Sequence, residues 1–166
     1  EPNTHFFAEI EHQLYLGDTP LHAAAAALNC EIAATLLKSG ASVAAKNRHG
    51  AEALHYASDS GPMKRTWNPV EQPRIIALLI EFGANPNAVD KRSVTPLHRA
   101  VRTRSAAAVR ALLAAGAWAR IKSDSGSTPL HLAVQNTGRG GSGSPAAKAE
   151  QISIVELLLE SGADLE

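Results

Sequence analysis

Apolar residues recur along the chain in short blocks at helical spacing. Leu36 and Leu37 follow Ile32 by four and five residues, a helical spacing that places them on one side of a helix. Comparable runs follow at Leu79-Ile80, Leu112-Leu113 and Leu158-Leu159. Each run is closed by Gly-Ala, at Gly40-Ala41, Gly83-Ala84, Gly116-Ala117 and Gly162-Ala163. Glycine is the residue that most easily takes the left-handed conformation that ends a helix, so each block predicts a helix with a defined stop. Phe6, Phe7, Ile10 and Leu14 repeat the pattern after the capping candidates Asn3 and Thr4. They predict a separate amino-terminal helix within residues 1–16.

A second marker precedes each Leu-rich block. Thr19-Pro20-Leu21-His22 returns as Thr95-Pro96-Leu97-His98 and Thr128-Pro129-Leu130-His131, with a degenerate copy at Glu52-Ala53-Leu54-His55. Thr caps a helix, and Pro suits its first turn, where a missing N–H costs nothing. Every copy therefore predicts two helices, and neither can bury its apolar face alone, so the copies must stack. They start at residues 19, 52, 95 and 128, at intervals of 33, 43 and 33. The period and the T-P-L-H-x-A signature resemble the ankyrin repeat, and the resemblance covers residues 17 to 164. It implies an all-α solenoid of stacked helix pairs linked by β-hairpin-like fingers, with residues 1–16 as a capping helix. The four repeats would span about 17–49, 50–92, 93–125 and 126–166.

The copies differ in three places. Glu52-Ala53 removes the Thr cap and the preset Pro from repeat two, a loss of about 1 kcal/mol from the cap. Ser93 stands where the other copies have Gly17, Gly50 and Gly126, so its finger must turn without glycine. Insertions of ten and thirteen residues separate the paired helices of repeats two and four, at Gly61 to Gln72 and Gly138 to Gln151. Both tracts carry helix breakers and are expected to protrude as loops. Glu71-Gln72 and Glu150-Gln151 stand at equivalent distances before Ile75-Ile76 and Ile154-Val155. Met63, Lys64, Arg65 and Trp67 either form a small adhesive surface or fold back on the helices, the second being the commoner outcome for Trp.

Composition narrows the class of protein. Apolar residues make up 45% of the chain and aromatics 4%, which favours tightly packed Ala- and Leu-rich helices over a sandwich or barrel. Sixteen basic residues balance sixteen acidic ones, so the molecule lacks the overall positive field of a general nucleic-acid binder. Cys30 stands alone, which excludes an internal disulfide, and it is expected as a core filler. No stretch approaches the length of a membrane span, and Glu1-Pro2-Asn3 does not read as the start of a secretion signal. A cytoplasmic, monomeric protein without a membrane contact is expected.

Candidate chemistry is thin. His22, His55, His98 and His131 share one place in successive copies, which argues for a structural role. The resemblance implies that each imidazole bonds the threonine hydroxyl and the loop backbone, so all four are expected to be buried. His5 and His12 alone do not make a metal site. No Gly-x-Ser-x-Gly elbow occurs, and the Gly138 to Gly143 run lacks the Lys-Ser/Thr ending of a phosphate loop. No catalytic residue, cofactor or metal is expected.

The resemblance implies instead a module that binds another protein, a scaffold or adaptor, along a concave face built from the fingers and first helices. Mapped onto these copies, the candidate contacts in the fingers are Tyr15, Asp18, Arg48, His49, Ala51, Lys91, Arg92, Val94, Asp124, Ser125 and Ser127. The first helices add Asp59, Ser60, Arg99, Arg102, Thr103, Gln135 and Asn136. Charge along this surface is uneven. Lys91, Arg92, Arg99, Arg102, Arg104, Arg110, Arg120 and Lys122 follow one another without an intervening acid. That run is either a site for an acidic protein segment or a solvated face neutralised by acids of neighbouring repeats. A nucleic-acid partner on the same patch is the alternative, weakened by the lack of interleaved aromatics.

Overall fold

The structure is a computed structural model that describes residues 15–135 and 145–164. The helix predicted before Tyr15, together with His5 and His12, lies outside these residues. Eight helices form among them: α1 (Pro20–Ala26), α2 (Cys30–Lys38), α3 (Ala53–Ser58), α4 (Glu71–Glu81), α5 (Pro96–Arg102), α6 (Ala106–Ala114), α7 (Pro129–Val134) and α8 (Pro145–Glu160). They pack as four antiparallel pairs. The first helices α1, α3, α5 and α7 stack in one row, and α2, α4, α6 and α8 in another.

Local sequence starts and stops each element. Thr95 and Thr128 hydroxyls accept from the N–H of His98 and His131, and Pro follows each at the first helical position. Each second helix ends on a glycine with φ between 81° and 92° at Gly40, Gly83, Gly116 and Gly162. The Ala after each glycine donates its N–H back to the carbonyl of Leu36, Leu79, Leu112 or Leu158, closing the turn in the way expected for glycine-capped helices. The core runs between the two rows. Leu21, Leu54, Leu97 and Leu130, one per motif, are buried with Ile76, Leu79, Val109, Leu112 and Leu158, and small Ala25, Ala57, Ala100 and Ala133 let the first helices approach closely.

The fingers form a ladder of their own. Within them the N–H of Asn47, Asp90 and Ser123 donates to the carbonyl of Ala51, Val94 and Ser127. From finger to finger Arg48 donates to Leu16, Lys91 to His49 and Asp124 to Arg92. Ser93 does turn at φ 56° in place of glycine, and its hydroxyl donates to Asp124.

Three motif histidines are buried and join adjacent repeats. Nδ1 faces the N–H of the cap residue, while Nε2 lies 3.0 to 3.1 Å from the carbonyl of Ala51, Val94 or Ser127 in the next finger. His131 departs from the expectation of four buried rings. It keeps the Thr128 contact at 2.7 Å but is exposed, because no further finger covers its Nε2 side among the described residues.

The insertions also correct the sequence reading. The second does not stay irregular as far as Gln151: α8 begins at Pro145, where Pro at the helix start and Ala146-Ala147-Lys148-Ala149 favour helix. Its glycine run lies outside the described residues. The first insertion is rooted in the stack. Gly61 is buried so close to the Thr103 carbonyl that a Cβ would collide with it. Trp67 folds back and donates to Gln72 Oε1 at 2.8 Å, while Met63 and Arg65 remain exposed.

Candidate functional site

Two side chains shape the fingers before repeats two and three. Asn47 Oδ1 accepts from the N–H of His49 and Ala51 at 2.9 and 3.0 Å. Asp90 Oδ1 does the same for Arg92 and Val94 at 2.9 and 3.1 Å. Burial alone would raise the Asp90 carboxyl, but these N–H groups and the Arg99 guanidinium hold it below the usual carboxylate range. The fingers so fixed wall a concave groove of about 410 Å³, floored by α3 and α5.

Ten of its thirteen lining residues were candidates from the sequence: Tyr15, Arg48, His49, Ala51, Asp59, Lys91, Arg92, Val94, Arg99 and Arg102. Asn47, Tyr56 and Asp90 complete it. Asn47 and Asp90 had a legible signal, since both stand five residues before their motifs with a short side-chain acceptor that can close a turn. Tyr56 and Arg99 occupy the free position after the motif histidine.

The groove holds two kinds of cation. Arg99 is mostly buried, with Nη2 at 3.1 Å from Asp90 Oδ2, Nη1 at 3.7 Å from Asp59 Oδ2 and its carbon 5.9 Å from the centre of the Tyr56 ring. Arg102 Nη2 lies 3.1 Å from Asp59 Oδ1. Acids of repeat two and its following finger thus neutralise these arginines, which supports the solvated-face alternative for them. Arg48, Lys91 and Arg92 at the fingertips are exposed, and no carboxylate pairs with them among the described residues. Arg48 Nε donates to His49 Nε2 at 3.1 Å, and the His49 and Tyr15 rings meet edge to face at 4.7 Å.

The remaining candidates stand apart from the groove. Asp18 accepts from the Tyr56 hydroxyl at 2.8 Å and from Asn47 Nδ2 at 2.8 Å. Burial, then this contact, pushes the Tyr56 phenol up. Ser60 is buried with its carbonyl bonded to Gln72 and Thr103, so neither Ser60 nor Thr103 is free to face a partner through these groups. Asp124, Ser125 and Ser127 belong to the next finger, Gln135 is exposed at the end of α7, and Asn136 lies outside the described residues. Arg104 is buried, and Arg120 meets Asp164 and the Gly162 carbonyl on the opposite side. Cys30 is partly buried, 3.8 Å from the Glu71 carbonyl, and burial pushes its thiol up.

Comparison with known proteins agrees with the architecture. A model described as ankyrin repeats, three copies, matches residues 69–166, and a single ankyrin repeat model matches residues 16–48. The chain belongs to the ankyrin repeat family, whose repeats are in general protein–protein interaction modules and typically non-enzymatic. It is similar to the nuclear factor NF-kappa-B p105 subunit of Gallus gallus, 32% identical over 72% of this chain and 12% of that protein. It is also similar to ankyrin repeat and SOCS box protein 16 of Mus musculus, 33% identical over 70% and 25%, and to B-cell lymphoma 3 protein of Homo sapiens, 36% identical over 57% and 19%. The chain thus spans a quarter or less of the length of these relatives. No helix among the described residues is long and apolar enough to cross a membrane.

Proposed function

We propose that the chain is a scaffold or adaptor that holds an acidic segment of a partner protein in the groove between the fingers before repeats two and three. One observation carries this reading: Arg48, Lys91 and Arg92 surround the groove as exposed cations with no carboxylate partner among the described residues, while Arg99 and Arg102 are already neutralised from within. Five basic and two acidic side chains line the groove, so an incoming acid meets net positive charge, which speeds encounter and fixes register. Tyr15 is the one exposed aromatic among the lining residues, a poor platform for stacked bases. The reading makes the protein a monomer acting in the cytoplasm, in keeping with its balanced charge and single cysteine.

The test uses a fluorescent oligoglutamate peptide as probe. The triple variant Arg48→Glu, Lys91→Glu and Arg92→Glu is expected to bind about tenfold or more weakly, with reversed salt dependence and unchanged helical content. Arg110→Glu, on the exposed side of α6, should have little effect. A triple variant that binds as tightly as the parent would sink the proposal, and preference for a single-stranded oligonucleotide over the acidic peptide would turn it toward nucleic acid.

A further inference from the structure

We infer that Asp59 is a specificity-determining residue: it masks Arg102 and so sets how much acidic character a segment must carry before the groove accepts it. The inference rests on the reading of the groove as a site for acidic segments and names the residue that tunes it.

Asp59 and Arg102 occupy the same position, seven residues after the motif start, in repeats two and three. Stacking therefore sets them side by side. The corresponding residues of repeats one and four are Ala26 and Gln135, so this charged pair belongs to one junction. Asp59 caps the end of α3 and serves two arginines at once, with Oδ1 at 3.1 Å from Arg102 and Oδ2 at 3.7 Å from Arg99. The two arginines depend on it unequally. Arg99 keeps Asp90 at 3.1 Å whatever happens at Asp59, and its side chain is only 15% exposed. Arg102 is 44% exposed, and Asp59 is its one carboxylate partner among the described residues.

Arg102 is thus the one groove cation that is both paired and within reach of a competitor. A carboxylate arriving from a partner must replace one already present. Exchanging one partly exposed ion pair for another yields little net gain. Binding then depends on the unpaired fingertip cations, and a segment with a single acid finds too few of them. With Asp59 neutral, Arg102 would join the set and the threshold would fall.

The experiment is a double-mutant cycle with the oligoglutamate probe. Asp59→Asn keeps the shape and is expected to tighten binding about two- to fivefold, the range of a partly exposed ion pair, with a steeper salt dependence. Arg102→Gln alone should weaken binding less than the same change does in the Asp59→Asn background, because its charge is already answered in the parent. Added to Asp59→Asn, it should erase the gain. An unaltered affinity in Asp59→Asn, or a gain that survives Arg102→Gln, overturns the mask while leaving the acidic-segment reading intact. Binding by Asp59→Asn but not by the parent keeps the mask and overturns that reading for the native protein. Binding by neither overturns both. Should Asp59→Asn unfold the chain, a loss of more than about fivefold in Arg102→Gln still refutes the mask, since an available Arg102 was never covered.

Discussion

Repeats one and three and the longer repeats two and four meet the same demand by different chemistry. In every copy the residue five places after the motif start leaves a carbonyl at the end of the first helix. Ala24 and Ala100 receive the backbone N–H of Asn29 and Ser105 at 3.0 and 3.1 Å. The chain reaches that geometry by turning through Leu28 at φ 54° and Arg104 at φ 59°, a conformation that costs a non-glycine residue about 1 kcal/mol. Asn29 and Ser105 then cap the second helix with their side chains. Ala57 and Ala133 lie before insertions, and no backbone N–H outside the helices donates to their carbonyls among the described residues. They receive instead the side-chain amides of Gln72 and Gln151 at 3.0 and 2.7 Å. A helix-end carbonyl turned inward must be satisfied, and a glutamine at the end of the insertion does this without constraining what the loop contains.

Breaking the clamp should separate the two long repeats. Gln72 is fully buried, bonds the Ala57 and Ser60 carbonyls, and accepts from Trp67 and from Ser105 of the next repeat at 2.8 and 2.7 Å. Gln72→Ala strands several of these groups and should cost about 3 to 4 kcal/mol in urea unfolding. Gln151 is only partly buried, so Gln151→Ala should cost about 1 kcal/mol. Equal losses would mean that the first insertion is no better anchored than the second.

Acid should weaken repeats two and three. Burial, with the Arg99 charge second, holds the His55 imidazole down to about 4 from its ordinary 6.5, and burial lowers His98 as well. The folded state then binds fewer protons than the unfolded one below pH 6.5. The stabilisation is therefore complete above that pH and is lost as pH falls toward about 4, to the extent of about 3 kcal/mol for His55. Asp90, with its lowered carboxyl, acts only below this window. Urea unfolding at pH 7 and pH 5 measures the loss. An NMR titration in which His55 protonates near 6.5 would refute the cause.

Much of this architecture was legible because it is written twice. The Thr-Pro-Leu-His and Gly-Ala markers fix the two ends of three of the four helix pairs by local chemistry, so each of those copies predicts its own elements. The fingers were legible for the same reason, and they supply most of the groove. What pairs across repeats was not. That Asp59 would face Arg102, or Asp90 hold Arg99, depends on which side chains stacking brings together. The exposure of His131 depends likewise on which finger covers it, and none does among the described residues. The left-handed turns at Leu28 and Arg104 were hidden because neither residue type signals that conformation.

The smallest expected effect concerns the degenerate motif, where repeat two differs from its three counterparts. Glu52 precedes α3 in the Thr position, and its N–H still reaches His55 Nδ1 at 3.1 Å, but its side chain makes no capping bond. The carboxylate is buried, with Oε1 at 3.8 Å from Lys46 and Oε2 without a hydrogen-bond partner among the described residues. Burial pushes this carboxyl up despite Lys46. Replacing Glu52→Thr and Ala53→Pro restores the cap and the preset first turn, and should stabilise the chain by about 1 kcal/mol. The sign of its pH dependence identifies the source. A carboxyl whose folded pKa lies above its unfolded value opposes folding when ionised, so the penalty is present at neutral pH and vanishes as pH falls toward 4.5. The double variant should therefore gain most at pH 7 and less at pH 4.5 in thermal melts. A gain of the same size at both would assign it to the cap and proline alone, and clear the buried carboxylate.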